Sequence, residues 1–527
     1  MRLKRLVVLL AAVFPALFLS ATTSAQHVGD PNSHAMSRGH GVGLSPGTVS
    51  STANPQVALY TLTLPLPGSW SVRFGLTTDY GRKTSIQTVD EPGRAASMYV
   101  AGMLPNTTYH MQAIVTLKDG SVATDGDQTF TTGSLPPGIP ARFPVTPGVT
   151  GTPQPGIELV NLLSSPSTVL ATDLRGNVIW TYPFPDRINE TSIYPARLMP
   201  DGHVIIFICP SSSPLGLPGA NIMREIDLAG NVVRELSMEH LNAALAKAGF
   251  NITLANYSHD FVLLPNGHYL ILVTAGKNLI DLPGYPGQTT VVGDVVVDLD
   301  PSWNPVWAWN SFDHLDVNRH PMQFPDWTHG NSVEYSADDG NFIISLRHQN
   351  WVLKIDYRDG KGTGDILWKL GEGGNFKLQG GVDPTDWFYA QHDARYITPN
   401  STGKFRLSLM DNGDDREFPD GVTCGVGNGP ACLYSTVPVL EVDEAARTAT
   451  VLSRVRVPDY LYSSWGGNVE LLPNGNTEFN LSGSFGGSVT EEVTSGPNPQ
   501  PVWLMAIPNG AAYRAYRIPS LYPGVQW

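Results

Sequence analysis

The sequence predicts an all-β protein: a six-bladed β-propeller preceded by a small β-sandwich. Three observations predict it. Across 527 residues, Gly 53 and Pro 43 stand against only 15% charged residues, which describes a turn-rich chain with almost no long amphipathic helix. Short alternating runs such as "QVALYTLTL", "SVRFGL" and "YHMQAIVTL" fill the first part of the chain. The longer remainder repeats a unit of strand, Asn/Asp-Gly turn and strand, the signal of a two-residue hairpin.

The elements follow in order. Residues 1–25 read as a signal peptide: Arg2, Lys4 and Arg5 precede an apolar run from Leu6 to Leu19, and Thr23-Ser24-Ala25 offers a small-residue cleavage site. That run is short for a bilayer span, so the mature chain is expected to be secreted, periplasmic and free of the membrane. Residues 26–48 are polar and Gly/Ser-rich, a flexible arm. Residues 49–134 are expected to form the sandwich. Within it, Leu104-Pro105-Asn106-Thr107-Thr108-Tyr109 resembles the corner of fibronectin type III sandwiches, where a tyrosine pins the start of a strand. Residues 135–156, rich in Pro and Gly, read as a linker.

Residues 157–527 hold the repeats. One hairpin recurs as "YPARLMPDGHVIIF", "HDFVLLPNGHYLIL", "HGNSVEYSADDGNFIIS", "HDARYITPNSTGKFRLS" and "GNVELLPNGNTEFN". A second carries a turn aspartate, as in "VLATDLRGNVIW" (Asp173), "IMREIDLAGNVV" (Asp227), "VVVDLDPSWNPVWAW" (Asp298) and "VLKIDYRDGKGTGDILW" (Asp356). Two hairpins make a four-stranded sheet, and about six such sheets arranged radially leave few exposed edges. The helix-like "MEHLNAALAKAG" (238–249) is an insertion.

A net charge of -14 argues against general affinity for nucleic acid, because no basic stripe is present to neutralise phosphates. Of three cysteines, Cys424 and Cys432 flank a Gly-rich loop suited to a short disulfide in an exported protein, and Cys209 reads as a buried strand residue. No Cys-x-x-Cys pair suggests zinc. The acidic "DNGDDREFPDG" does not fit an EF-hand and reads as a solvated loop.

The residue that opens the first hairpin is histidine in three successive repeats: His259, His329 and His392. Tyr194 and Gly467 occupy that position elsewhere. Equivalent inner-strand positions face one channel, so these imidazoles are expected to converge on a rigid scaffold. Arg347, on the returning strand of the His329 hairpin, is expected to clamp an oxyanion among them. A metal site is the rival reading, since imidazole is a common ligand. His203 and His268, which follow turn glycines, read as hairpin residues. Trp327, Trp387, Tyr389 and Trp465 lie near the motif loops, each more often packing than substrate contact.

With these residues in place, the chain resembles the bacterial arylsulfotransferases (aryl-sulfate sulfotransferases) that work without the nucleotide sulfate donor PAPS. The strongest stretches are "SHDFVLLPNGHYLILV", "DWTHGNSVEYSADDGNFIISLRHQNWVLKID", "GDILWKLGEGG" and "QHDARYITPN…LSLMDNG". The resemblance implies transfer of a sulfuryl group from a phenolic sulfate ester to another phenol, by a ping-pong route with no cofactor and no metal. It implies His392 as the histidine that carries the group, with His259, His329 and Arg347 holding the sulfuryl oxygens and Asn331 in the same pocket. Small phenols are the expected partners, with a homodimer among the assemblies a sandwich would suit. Competing readings are a metal-dependent hydrolase or lactonase on the same scaffold, and a propeller that only binds.

Overall fold

The computed structural model describes residues 44–163, 167–182, 192–209, 215, 221–424, 433–457, 461–484, 486–496 and 498–527. The expected signal peptide, most of the arm and the Cys424–Cys432 pairing lie outside the described residues or side chains.

The N-terminal part forms two antiparallel sheets. One comprises Thr48–Ser51, Ala58–Thr63 and Ala95–Val100, and the other is built on Gly68–Gly75 and Thr108–Leu117. Alternation along these strands buries every second side chain, and the Tyr60 and Trp70 rings meet across the two sheets at 6.3 Å. Tyr109 does pin its corner, with the Leu104 N–H donating to its hydroxyl at 3.0 Å. Residues 135–156, read as a linker, also contribute a strand, Val145–Pro147, which pairs with Pro501–Pro508 at the outer edge of a later sheet.

Six sheets follow among the described residues, four of four strands and two of five, antiparallel throughout except where Lys377–Gln379 runs parallel to Thr448–Arg456 at an edge. Four begin with Ser192–Leu198, Asn256–Leu263, Gly330–Ser336 and His392–Ser401, and a fifth begins with Asn468–Leu471. The remaining sheet joins Ile157–Leu162, Thr168–Asp173 and Val178–Thr181 to the C-terminal strand Ala512–Ile518. First strands of successive sheets lie side by side, and Ala512–Ile518 touches the first strands on both sides of it, so the chain ends close a ring. The middle strands are apolar on both faces, as in Val204–Cys209, because each sheet is covered by its neighbours. Cys209 is buried there as a free thiol. The expected helix is Met238–Lys247, capped by Ser237. Among the described residues, no helix is long and apolar enough to cross a membrane.

Two readings of acidic residues change. Asp173 and Asp227 do close their turns, but Asp298 is buried against His268 and the Tyr357 hydroxyl, and Asp300 makes the turn instead. The repeat unit there slips by two residues because the strand continues through Leu299. In the acidic loop, Asp411 is buried and paired with Arg416, and Asp414 is buried too. Guanidinium partners make that burial affordable, so the loop is not a solvated one.

Side chains of the first strands stitch one sheet to the next. Asn161 exchanges hydrogen bonds with Ala196, and Asn468 with Ala515. The Asp260 carboxylate accepts from Arg197 at 2.8 Å, Arg395 at 2.6 Å, Arg514 at 3.1 Å and the Val333 N–H at 3.1 Å. Asp393 pairs with Arg395 and Arg514 and accepts from the Val469 N–H, while Glu334 takes the far end of Arg395. Three guanidinium groups thus balance three carboxylates in the ring. Burial pushes the Asp260 carboxyl up, but its arginines win and hold it far below the usual range.

Removing the charge of Asp260 would leave buried guanidinium groups uncompensated, a loss of about 3–5 kcal/mol. Denaturant unfolding of Asp260→Asn is expected to show a drop of that size, and a change below about 1 kcal/mol would contradict this account.

Candidate functional site

The sheets position the site through a shared irregularity. Pairing between first and second strands shifts register between Ile193 and Ala196, Tyr257 and Phe261, Gly330 and Ser332, and His392 and Arg395. Such bulges re-aim side chains at the rim of a sheet. His259 lies inside one, His392 opens another, and His329 stands immediately before Gly330 with φ 47. A left-handed backbone at a non-glycine residue stores strain that the surroundings must hold.

The bulges bring the residues singled out from the sequence together. The His259 and His329 rings are 4.9 Å apart. Arg347 lies just past the end of its strand, in a short helical turn, rather than on the returning strand. Its N–H donates to the His329 carbonyl at 3.1 Å. His392 feels the Arg347 charge first among its charged neighbours, then His259 and His329.

Each of the three imidazoles is tied through Nδ1 to a different partner. For His259 it is the Ser258 hydroxyl at 2.7 Å, for His329 the Asp326 carboxylate at 2.6 Å, and for His392 the Asn412 side chain at 2.7 Å. For His392 the network fixes the tautomer. Asn412 gives its NH2 to the Ser463 and Gly466 carbonyls, so its oxygen faces the ring and accepts from Nδ1–H. Nε2 is then the bare nitrogen, and it accepts the Gly466 N–H at 3.2 Å.

Burial, followed by the Arg347 charge, drives the His392 pKa well below its ordinary value, against the Asn412 hydrogen bond. Burial and His329 do the same to His259. Both imidazoles are therefore neutral at physiological pH.

Arg347 donates to Asp414 at 2.7 Å and to the Ser464 carbonyl at 3.1 Å, and sits 2.5 Å from His348 Nε2. Its buried Nε–H has no hydrogen-bond partner among the described residues. Arg197, Arg416 and Arg514 leave Nε unpartnered as well, but of the four only Arg347 stands as a charged neighbour of His392, where an anion could satisfy the donor. Burial raises the Asp414 carboxyl to about 6 against the opposing Arg347 charge, and Tyr462 bonds its second oxygen.

Several contributors escaped the sequence reading. His348 follows Arg347 directly, gives Nδ1–H to the Asp326 carbonyl at 2.5 Å, and is held down at about 3 by burial, His329 and Arg347. Asp326, Asn412, Asp414 and Tyr462 also join the cluster. The signals available were the pairing "RH" and the continuation of "MDNG" into "DD". Tyr194, at the repeat position, lies edge-on to His259 at 5.6 Å and packs on Tyr513 at 4.8 Å.

Asn331 falls beneath the cluster rather than inside it. Its NH2 donates to the Gln391 carbonyl at 2.6 Å and its oxygen accepts from the Asp393 N–H at 3.3 Å, bracketing His392 on both sides. Asp326, His329 and His348 could together hold a metal ion. His348 fits that role poorly, because both its ring nitrogens are already engaged. His203 and His268 pair with Glu225 and Asp298, away from the cluster.

An all-β protein that sets neutral imidazoles around a guanidinium with an unfilled N–H is equipped to meet an oxyanion. The sequence model of one family, arylsulfotransferase (ASST), matches residues 149–512, a span that contains every residue of the cluster. The chain belongs to that family, and membership supports arylsulfotransferase activity in general. No curated protein matches it. Among solved structures it is similar to the periplasmic gluconolactonase of Pseudomonas aeruginosa, at 10% identity and TM-score 0.34 over 69% of this chain and 99% of that one. A mutant of the Synechocystis apocarotenoid oxygenase is similar at 12% identity and TM-score 0.29, over 85% of this chain and 78% of that one. Neither likeness is close enough to bring a function with it.

A lowered histidine pKa makes stability depend on acid. Below the unfolded value the unfolded chain binds the extra proton, so stability is lost as pH falls, by about 1.4 kcal/mol per pH unit for each such group. For His348 the window runs from 6.5 down to about 3. His348→Gln is expected to flatten the fall of unfolding free energy below pH 6 by about one proton, read from denaturant titrations at successive pH values. An identical slope in both proteins would contradict the assignment.

Proposed function

We propose that this chain is a PAPS-independent aryl-sulfate sulfotransferase that passes a sulfuryl group between phenols through a sulfo-histidine at His392. In this reading the ring of sheets is a six-bladed β-propeller over residues 157–527, preceded by a fibronectin III-like sandwich over 49–134. The chain is exported to the periplasm by the segment 1–25. The observation that carries the proposal is the state of His392: buried, neutral, and held by Asn412 in the tautomer that leaves Nε2 bare.

The chemistry follows from that state. Sulfuryl transfer resembles phosphoryl transfer, with an in-line, loose transition state whose charge spreads over the outer oxygens, so positioning and electrostatics dominate. Nε2 gives up the Gly466 N–H and attacks sulfur with the lone pair so released, the bond to the aryl oxygen breaks, and its electron pair leaves on the phenolate. The ring gains positive charge as the N–S bond forms, and Nδ1–H presses on the Asn412 oxygen. Arg347 offers its unfilled Nε–H to a sulfuryl oxygen. In the second half, a phenol oxygen attacks the sulfur of the sulfo-histidine, the N–S bond breaks with its electron pair returning to His392 Nε2, and the phenol proton passes to His259 or His329, whose Nδ1 partners keep those rings oriented. Asn331 acts through His392, by holding the backbone on either side of it.

A second reading, a metal-dependent hydrolase, would place its ion on Asp326, His329 and His348, and requires His348 to give up one of its two ring hydrogen bonds. Chelation separates the two: sulfotransferase activity should survive prolonged treatment with a chelator, and a hydrolase should lose activity and regain it with added metal.

With a chromogenic aryl sulfate, phenolate release is expected to depend on a phenol acceptor. His392→Ala should lower it by at least about a thousandfold. Mass analysis after exposure to donor alone should place a sulfuryl group on the peptide containing His392. Full transfer by His392→Ala would overturn the nucleophile, and acceptor-independent hydrolysis would overturn the reaction class.

A further inference from the structure

We propose that Trp465 determines substrate specificity: its exposed indole is the platform on which the aromatic ring of an aryl sulfate or phenol lies. The inference rests on the sulfuryl-transfer reading of the site and names what holds the aryl end of the substrate.

Trp465 stands between two backbone groups that serve the site. The Ser464 carbonyl accepts from Arg347 at 3.1 Å, and the Gly466 N–H donates to His392 Nε2 at 3.2 Å. The segment cannot move far. Ser463 receives its bonds from Asn412 and gives its own to the Trp465 carbonyl, its N–H is held by Ser435, and its hydroxyl accepts the Gly483 N–H.

The indole rests against Gly483. A Cβ placed there would stand 2.5 Å from the indole nitrogen and 2.6 Å from the adjacent ring carbon, so only glycine leaves room for the ring. The nitrogen-bearing edge of the indole is thereby set against backbone, and Trp465 as a whole is still 36% exposed, more than any other of the twelve tryptophans. The other aromatic residues noted near the motif loops, Trp327, Trp387 and Tyr389, are buried in packing. A large apolar ring left open on a rigid segment beside an anion site is what an aromatic sulfate needs: stacking for the ring, donors for the sulfate.

Para-nitrophenyl sulfate is a suitable probe because its nitroaromatic ring quenches a stacked indole. It should quench the wild-type protein saturably, and Trp465→Ala should lose that part of the quench. In steady state, Trp465→Ala should raise KM for this donor by about three- to tenfold at a kcat within about twofold of wild type. Trp465→Phe should restore most of the loss, and Gly483→Ala, which displaces the indole without removing it, should also raise KM. Unquenched wild-type protein, wild-type affinity in Trp465→Ala, or a fall in kcat at unchanged KM would each overturn the inference. Saturable quenching by a protein that transfers nothing to any phenol would leave the platform standing and overturn the transfer reading instead.

Discussion

The charge network between Asp260, Asp393, Glu334 and their three arginines governs where the site can be. Arg197, Asp260, Glu334, Arg395 and Arg514 come from five different sheets, and Asp393 reaches the Val469 N–H of the sixth. Such a network adds little stability over a well-packed apolar core, because desolvating six charges costs nearly what their attraction returns. What it supplies is geometry. Each carboxylate accepts only from donors that arrive at fixed angles, so a sheet that rotated would strand a buried charge. His259 and His392 are the residues immediately before Asp260 and Asp393. The imidazoles therefore inherit the precision of the ion network below them.

Above that layer, the site is built to keep imidazole uncharged. Burial opposes a proton on His259, His348 and His392 before any neighbour is considered, and the nearby Arg347 charge adds to it in all three. The guanidinium that would attract an anion is thus the same group that disfavours a proton on His392. Asp414 limits the arrangement, because a carboxylate against Arg347 competes with the anion for the guanidinium. Burial raises Asp414 to about 6, so the carboxylate stays mostly charged at neutral pH and gives up its hold on Arg347 only in mild acid.

The parts legible in the sequence are those fixed by the repeat. His259, His329 and His392 could be placed together because one hairpin position recurs, and the hairpins themselves are local signals. Arg347 sits one residue past the end of the strand on which its hairpin position puts it. What the repeat does not encode was misplaced or missed. Asn331 shares the motif, yet the bulge at Gly330–Ser332 turns its amide to the neighbouring sheet. The acidic loop looked solvated because its partners, Arg347 for Asp414 and Arg416 for Asp411, reach it only after folding. Asp298 and Asp300 differ by two residues in strand length, which no local turn rule decides. His348 carried no repeat signal, because its role depends on a helical turn that follows the strand.

One short segment binds the two halves of the site. Residues 463–466 give a carbonyl to Arg347 and an N–H to His392, while Asn412, Ser435 and Gly483 hold the segment from three directions. Loops usually carry function at the cost of mobility, and here hydrogen bonds from neighbouring sheets remove that mobility. The consequence is a mechanical coupling between Arg347 and His392. A displacement of the segment would draw the Ser464 carbonyl from Arg347 and the Gly466 N–H from His392 in the same motion, so the two groups keep their relative geometry or lose it together.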